Sequence, residues 1–145
     1  MGKVDRFIEA AESIADARVP FKHAGRNMGG VDCGGLVVLA ANAEGIDIQD
    51  LKGYDRSPPG QKVVETFRCQ YLEIELADIR PGDLVCMWFD KNTKDPQHVG
   101  IVVDRGGELG VIHAYEGSSC VVKIYLTKAW RKRMVTAFRP VGMEQ

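Results

Sequence analysis

No run of apolar residues in this 145-residue chain approaches the ~20 needed to cross a bilayer. The opening stretch, MGKVDRFIEAAESIADARV, is charged throughout and has no apolar core of the secretory-signal kind. The expectation is synthesis in the cytoplasm, with any action outside it depending on another route of delivery. Charge of one sign is also missing. The 19 basic and 20 acidic residues leave a net charge of -1, which gives no electrostatic footprint for nucleic acid or an anionic membrane. The one basic cluster, Lys128, Arg131, Lys132 and Arg133, is too narrow to track phosphates and reads as a solvated element end. Cysteines are few and widely spaced, at 33, 69, 86 and 120, with no CxxC pair. That spacing speaks against a disulfide framework and against a structural zinc site. The glycine spacings of dinucleotide and phosphate-binding loops are absent as well. Neither a metal nor an organic cofactor is implied.

What is present is an ordinary globular composition, 45% hydrophobic and 27% charged, in a length suited to one domain over residues 1–145. Val4, Phe7, Ile8, Ala11, Ile14 and Ala15 recur at helical spacing and predict an amphipathic helix over 3–17, ended before Pro20. A glycine-rich polar loop follows. From Cys33 the pattern turns small and apolar through Ala41, which predicts a buried helix with Asp32 as N-cap and Gly45 just past its end. Residues 46–60 read as a loop with a turn at DRSPPG, and Val63, Val64 and Phe67 suggest a short helix. RPGD marks a tight turn into the strand LVCMWF. Four more strands read as HVGIVVD, LGVIHAY, CVVKIYL and MVTAFRP. Helices first and then about five strands predicts an α+β fold, with helices on one side of an antiparallel sheet.

The segment that carries chemistry is VDCGGLV. Its cysteine stands where a glycine-rich loop becomes the first turn of a helix. Unpaired backbone N–H groups and the helix dipole favour an anion there. A thiolate is such an anion, so the placement is expected to lower the Cys33 pKa. The same N–H groups suit the oxyanion of an attacked carbonyl. Gly34 and Gly35 are expected to let a substrate backbone come close. A cysteine nucleophile needs a base, and the chain has only three histidines, His23, His98 and His113. His98 opens one apolar strand and His113 lies on the next. His98 shares its sheet face with Gly100 and Val102, and His113 shares its face with Val111. A helix laid over that face is expected to bring Cys33 to both. His98 is then the base and later the acid, and His113 the group that holds its tautomer. Cys69, Cys86 and Cys120 lack such surroundings and read as inert.

DCGGLV resembles the Asp-Cys-Ser-Gly-Leu-Val signature of NlpC-type cell-wall peptidases. RPGDLVCMWF, HVGIVVD, VIHAY and AFRP are similar to that family's later motifs, and the likeness runs over about residues 5–140. FKHAGRNMGGVDCGGL resembles in particular the variant found in phage tails and gene-transfer particles. The resemblance implies a reduced papain-like core and hydrolysis of an amide bond in peptidoglycan stem peptide, between D-glutamate and a diamino acid. It implies Cys33, His98 and His113 as the catalytic set, and phage tail proteins as possible partners, with action on the wall from a virion or tail. Gly34 stands where the family often has Ser, and Phe21 where it often has Tyr. Two polar handles on substrate are thereby lost, which implies an altered peptide preference. Asp32 is expected either to meet a stem-peptide amine or to serve as an N-cap alone, while His23 and Arg26 share the loop beside it. Two other readings stand beside the enzyme. One is a non-catalytic wall-binding or structural tail module of the same fold. The other is a different thiol enzyme, such as an amidase or acyltransferase acting on lipids or small amides, whose lipid-handling version calls for an apolar membrane-facing segment that is not seen in the sequence.

Overall fold

The computed structural model describes residues 2–46, 65, 71–89 and 98–140. The DRSPPG turn and Cys69 lie outside them, as does all but residue 65 of the short helix suggested near 63–67. Helix α1 spans Lys3–Asp16 and buries Phe7, Ala11 and Ile14, the i, i+4, i+7 stripe of its sequence. Arg18 ends it in the left-handed region at φ 52°, where its N–H and that of Val19 return to Ala15 and Ile14 carbonyls. The chain then forms a small hairpin of β1 (Arg26–Asn27) and β2 (Gly30–Val31) and enters helix α2, Cys33–Ala43. Leu36, Val37, Val38, Ala40 and Ala41 are all buried. A helix apolar on nearly every side belongs at the centre of the molecule, and α2 packs against α1 and β5 while α1 also reaches β5, β6 and β7.

The main sheet has six strands rather than five. They are β3 (Leu72–Ile74), β4 (Leu84–Met87), β5 (His98–Arg105), β6 (Glu108–His113), β7 (Val122–Tyr125) and β8 (Met134–Arg139). Their order is β3-β8-β4-β5-β6-β7, and every pairing is antiparallel. The additional strand is β3, three residues of LEI on the sheet edge, too short to show a period of two. The β5–β6 hairpin closes through Gly106 and Gly107, both at positive φ, which matches the right-handed strand twist. A one-turn helix, α3 (Lys128–Arg131), capped by Thr127, links β7 to β8.

The two sheet faces are buried by different layers. Leu84, Cys86, Val99, Ile101, Val103, Ile112, Ala114 and Phe138 face α1 and α2. Val85, Met87, Val102, Val111 and Ala137 face away from the helices, under Ile79, Leu126 and Trp130. Two sequence motifs remote from each other meet at the sheet's end. Asp83 of RPGD is buried and accepts Nε–H and Nη2–H of Arg139, from AFRP, at 2.8 and 2.9 Å, together with the Arg80 N–H at 2.9 Å. This two-pronged ion pair pins the start of β4 to the end of β8.

Candidate active site

Helix α2 begins at Cys33 because Asp32 caps it. The Asp32 backbone is extended, and its Oδ1 accepts the Gly35 N–H at 2.8 Å. The same carboxylate accepts the Ala24 N–H at 2.8 Å and Nη1–H of Arg26 at 3.0 Å. Asp32 is 4% exposed. Its carboxylate therefore ties the 22–31 loop to the helix start, which is the capping role. Arg26 is drawn into that pair and to the Gly25 carbonyl. Gly35 also differs in purpose from its expected one. A Cβ there would collide with the carbonyl oxygen of Gly25, so the missing side chain admits the protein's own loop. Phe21 packs half-buried against the core, its N–H on the Ser119 carbonyl. His23 stands in the turn that leads to the hairpin, and Gly34 is buried at the helix start.

Cys33 is buried and its sulfur lies within hydrogen-bonding reach of the backbone of Val99 and Gly34. Val99 follows His98, so α2 delivers its thiol to the first residues of β5. The route differs from the expected one. His98 pairs with Met87 across the strands and lies on the face of Val102 and Val111, away from the helices. Alternation along a strand tells which residues share a face but not which layer covers it. Val99, Ile101 and Val103 face the helical side, and Cys33 meets the strand at its end.

His98 and His113 do come together, with Nε2 of His98 2.8 Å from Nδ1 of His113. Both rings are buried. An aromatic shell encloses them. Phe89 stacks on His98 at 4.6 Å between centroids, Tyr115 lies 4.9 Å from His113, and Trp130 meets His113 at 5.0 Å. These three residues were not singled out from the sequence. Tyr115 was legible there, two residues past His113 and so of the same parity. Phe89 shares the parity of Met87, which pairs with His98. Trp130 gives no such signal, since it arrives from a separate helix.

The electrostatics reverse one expectation. Burial pushes the Cys33 thiol up to about 12, and the neighbouring Asp32 carboxylate adds to the rise. The Val99 and Gly34 backbone groups and Arg26 pull the other way and are outweighed. The helix start favours an anion, but loss of water costs the thiolate more. Burial, and next the neighbouring His113, hold His98 well below the usual histidine range. Burial lowers His113 to about 4. These shifts favour a neutral thiol and two neutral imidazoles at neutral pH. With Nε2 of His98 engaged by His113, the nitrogen left for the thiol is Nδ1. Among the described residues no group of three His, Cys, Asp or Glu side chains is gathered as a metal would require, and no helix is long and apolar enough to cross a membrane.

Comparison with known proteins places this fold. A crystal structure of an NlpC/P60 family protein from Bacillus cereus matches 95% of this chain and 40% of its own, at 21% identity and a TM-score of 0.71. NlpC2 from Trichomonas vaginalis matches 96% of this chain and 46% of its own, at 19% identity and a TM-score of 0.69. The NlpC/p60 domain of the peptidoglycan hydrolase SagA matches 93% of this chain and 97% of its own, at 18% identity and a TM-score of 0.64. This chain thus spans less than half the length of the first two and nearly all of the third. No curated protein matches the sequence. The sequence model of the NlpC/P60 family matches residues 18–139, from the turn after α1 to the end of β8, and the chain belongs to that family.

Proposed function

We propose that this protein is a cysteine hydrolase that cuts an amide bond in the stem peptide of peptidoglycan, of the D-glutamyl–diamino acid type. The observation that carries the reading is the delivery of a helix-start thiol to the strand end where two buried histidines are hydrogen-bonded at 2.8 Å. Family membership and the likeness to a peptidoglycan hydrolase domain support the substrate class. In this reading Cys33 is the nucleophile, His98 the base and His113 the group that orients His98.

The buried neutral pair sets the order of events. As the substrate carbonyl closes on Cys33, the thiol proton passes to Nδ1 of His98 while the S–C bond forms. The first N–H groups of α2 take the oxyanion. The C–N bond then breaks, and the imidazolium gives its proton to the leaving amine. Water, activated by the same imidazole, attacks the thioester, releases the acid and restores the thiol. No external oxidant or metal enters the balance. Gly34, Phe21 and His23 form the proposed peptide-facing wall beside Cys33, and Asp32 acts by holding that wall in place. Phe21 and Gly34, without hydroxyls, shift recognition from polar contacts toward backbone and shape. The loop resemblance FKHAGRNMGGVDCGGL supports action from a phage tail or similar particle, with tail proteins as partners.

Digestion of purified muropeptides followed by mass spectrometry tests the proposal, because fragment masses identify the bond. The wild type is expected to cleave. Cys33→Ala is expected to lose on the order of 10⁴-fold or more in rate while keeping its unfolding transition. Cleavage by Cys33→Ala at the wild-type rate would rule out the assigned nucleophile. Failure of the wild type on every wall preparation would move the reading to a wall-binding module.

A further inference from the structure

One polar atom of the site has no hydrogen-bonding partner among the described residues: Nε2 of His113, on a side chain with 0% exposure. The other ring nitrogen, Nδ1, shares the 2.8 Å bond with Nε2 of His98. Each neutral imidazole carries one proton, so the four nitrogens hold two N–H groups and two lone pairs. Two arrangements satisfy the shared bond. In the first, His98 donates Nε2–H to Nδ1 of His113, and His113 keeps its proton on Nε2. In the second, His113 donates Nδ1–H, and the proton of His98 sits on its own Nδ1. Only the first leaves Nδ1 of His98 with a lone pair for the thiol. It also leaves a buried N–H at Nε2 of His113, which is costly unless something receives it.

Trp130 is placed to do so. Its ring and that of His113 are 5.0 Å apart between centroids and 86° apart in plane, the edge-to-face arrangement. Tyr115, the other aromatic neighbour of His113, is tilted at only 42°. An aromatic face accepts an N–H but has nothing comparable to offer a lone pair. The turn that carries the indole is capped, the Trp130 backbone N–H reaching Oγ1 of Thr127 at 3.4 Å, and the Arg133 guanidinium lies 5.5 Å from the indole ring and 5.0 Å from that of Trp88.

We propose that Trp130 is a positioning residue: its indole face receives Nε2–H of His113, fixes that tautomer, and through the His113–His98 bond leaves Nδ1 of His98 bare toward Cys33. The inference rests on the reading of His98 as base and assigns a residue that touches no substrate.

Long-range ¹H–¹⁵N correlation on the full chain labelled in histidine nitrogen, at pH 7.5, tests it. In the wild type both His98 and His113 are expected as Nε2–H tautomers, with the His113 Nε2 proton moved upfield by the indole ring current. Trp130→Leu is expected to raise the Nδ1–H share of His113 by roughly two- to five-fold and to lower kcat with KM unchanged. Trp130→Phe, which keeps a ring face, is expected to restore both. An Nδ1–H tautomer at His113 in the wild type overturns the proposal, as does the absence of the upfield shift. So does a Trp130→Leu spectrum unchanged in tautomer. Should Trp130→Leu fail to fold, the wild-type spectrum alone still decides. The tautomers are read without substrate, so an inactive wild type would count against the hydrolase reading and leave this test standing.

Discussion

Two imidazoles buried as a neutral pair make stability depend on pH in a calculable way. Burial lowers His113 to about 4 from 6.5, and holds His98 well below 6.5. Between the folded and unfolded values the unfolded chain carries protons that the folded chain refuses. The unfolded state then binds more protons, so stability rises with pH and falls as acid is added. The loss begins as pH drops through 6.5, the unfolded value, and ends only at the folded value. For His113 the drop from 6.5 to about 4 corresponds to about 3 kcal/mol. Near pH 5.5 each such histidine contributes a slope of roughly 1 kcal/mol per pH unit, and the pair about twice that. Urea unfolding followed by the fluorescence of Trp88 and Trp130, at intervals from pH 7.5 to 5, measures this slope before most carboxylates titrate. The wild type is expected to lose about 4 kcal/mol over that range. His113→Gln, which keeps a polar partner for His98, is expected to show about half the slope. A flat profile in the wild type would refute the neutral buried pair, and so would equal slopes in the two proteins. The same sign predicts that hydrolysis fails in acid through unfolding, at a pH where His98 in the folded protein is still a free base.

The remaining predictions concern how the site is held. Asp83→Asn leaves the Arg139 guanidinium facing an uncharged partner, with the two side chains only 12% and 2% exposed. It is expected to cost about 3–5 kcal/mol, read as a lowered urea midpoint with unchanged m-value; a cost under 1 kcal/mol would show that the pair is dispensable. Gly35→Ala drives a Cβ into the Gly25 carbonyl, with an expected cost of about 1–3 kcal/mol. Because the displaced loop carries Arg26 and Ala24, both bonded to Asp32, muropeptide hydrolysis should fall more steeply than stability. Wild-type activity in this variant would show that the loop does not build the site.

Much of the local structure was legible because it follows from short-range rules. The apolar stripe of α1, the Asp32 cap and the Gly45 stop of α2, the RPGD turn, and the alternation of β4, β5, β6 and β8 each depend on residues within a few positions of one another. Family likeness was legible for the same reason, since DCGGLV, RPGDL and HVGIV are contiguous. That His98 and His113 could share a face was open to the sequence, and the β5–β6 register, Ile101 against Ile112, brings it about. What sequence alone left open depended on distant segments meeting. Which layer covers the histidine face was decided by where α1 and α2 dock, against Val99, Ile101 and Val103 on the opposite face. The roles of Asp32 and Gly35 were decided by the return of the 22–31 loop onto the helix start. The protonation state of Cys33 was decided by burial, a property of the whole fold, which outweighs the local pull of the helix end. Trp130 reaches His113 only because β7 and α3 fold back over the sheet. A sequence fixes its capping and periodic patterns over a few residues, but desolvation and ring contacts are sums over everything that surrounds a side chain, and those sums exist only once the chain has folded.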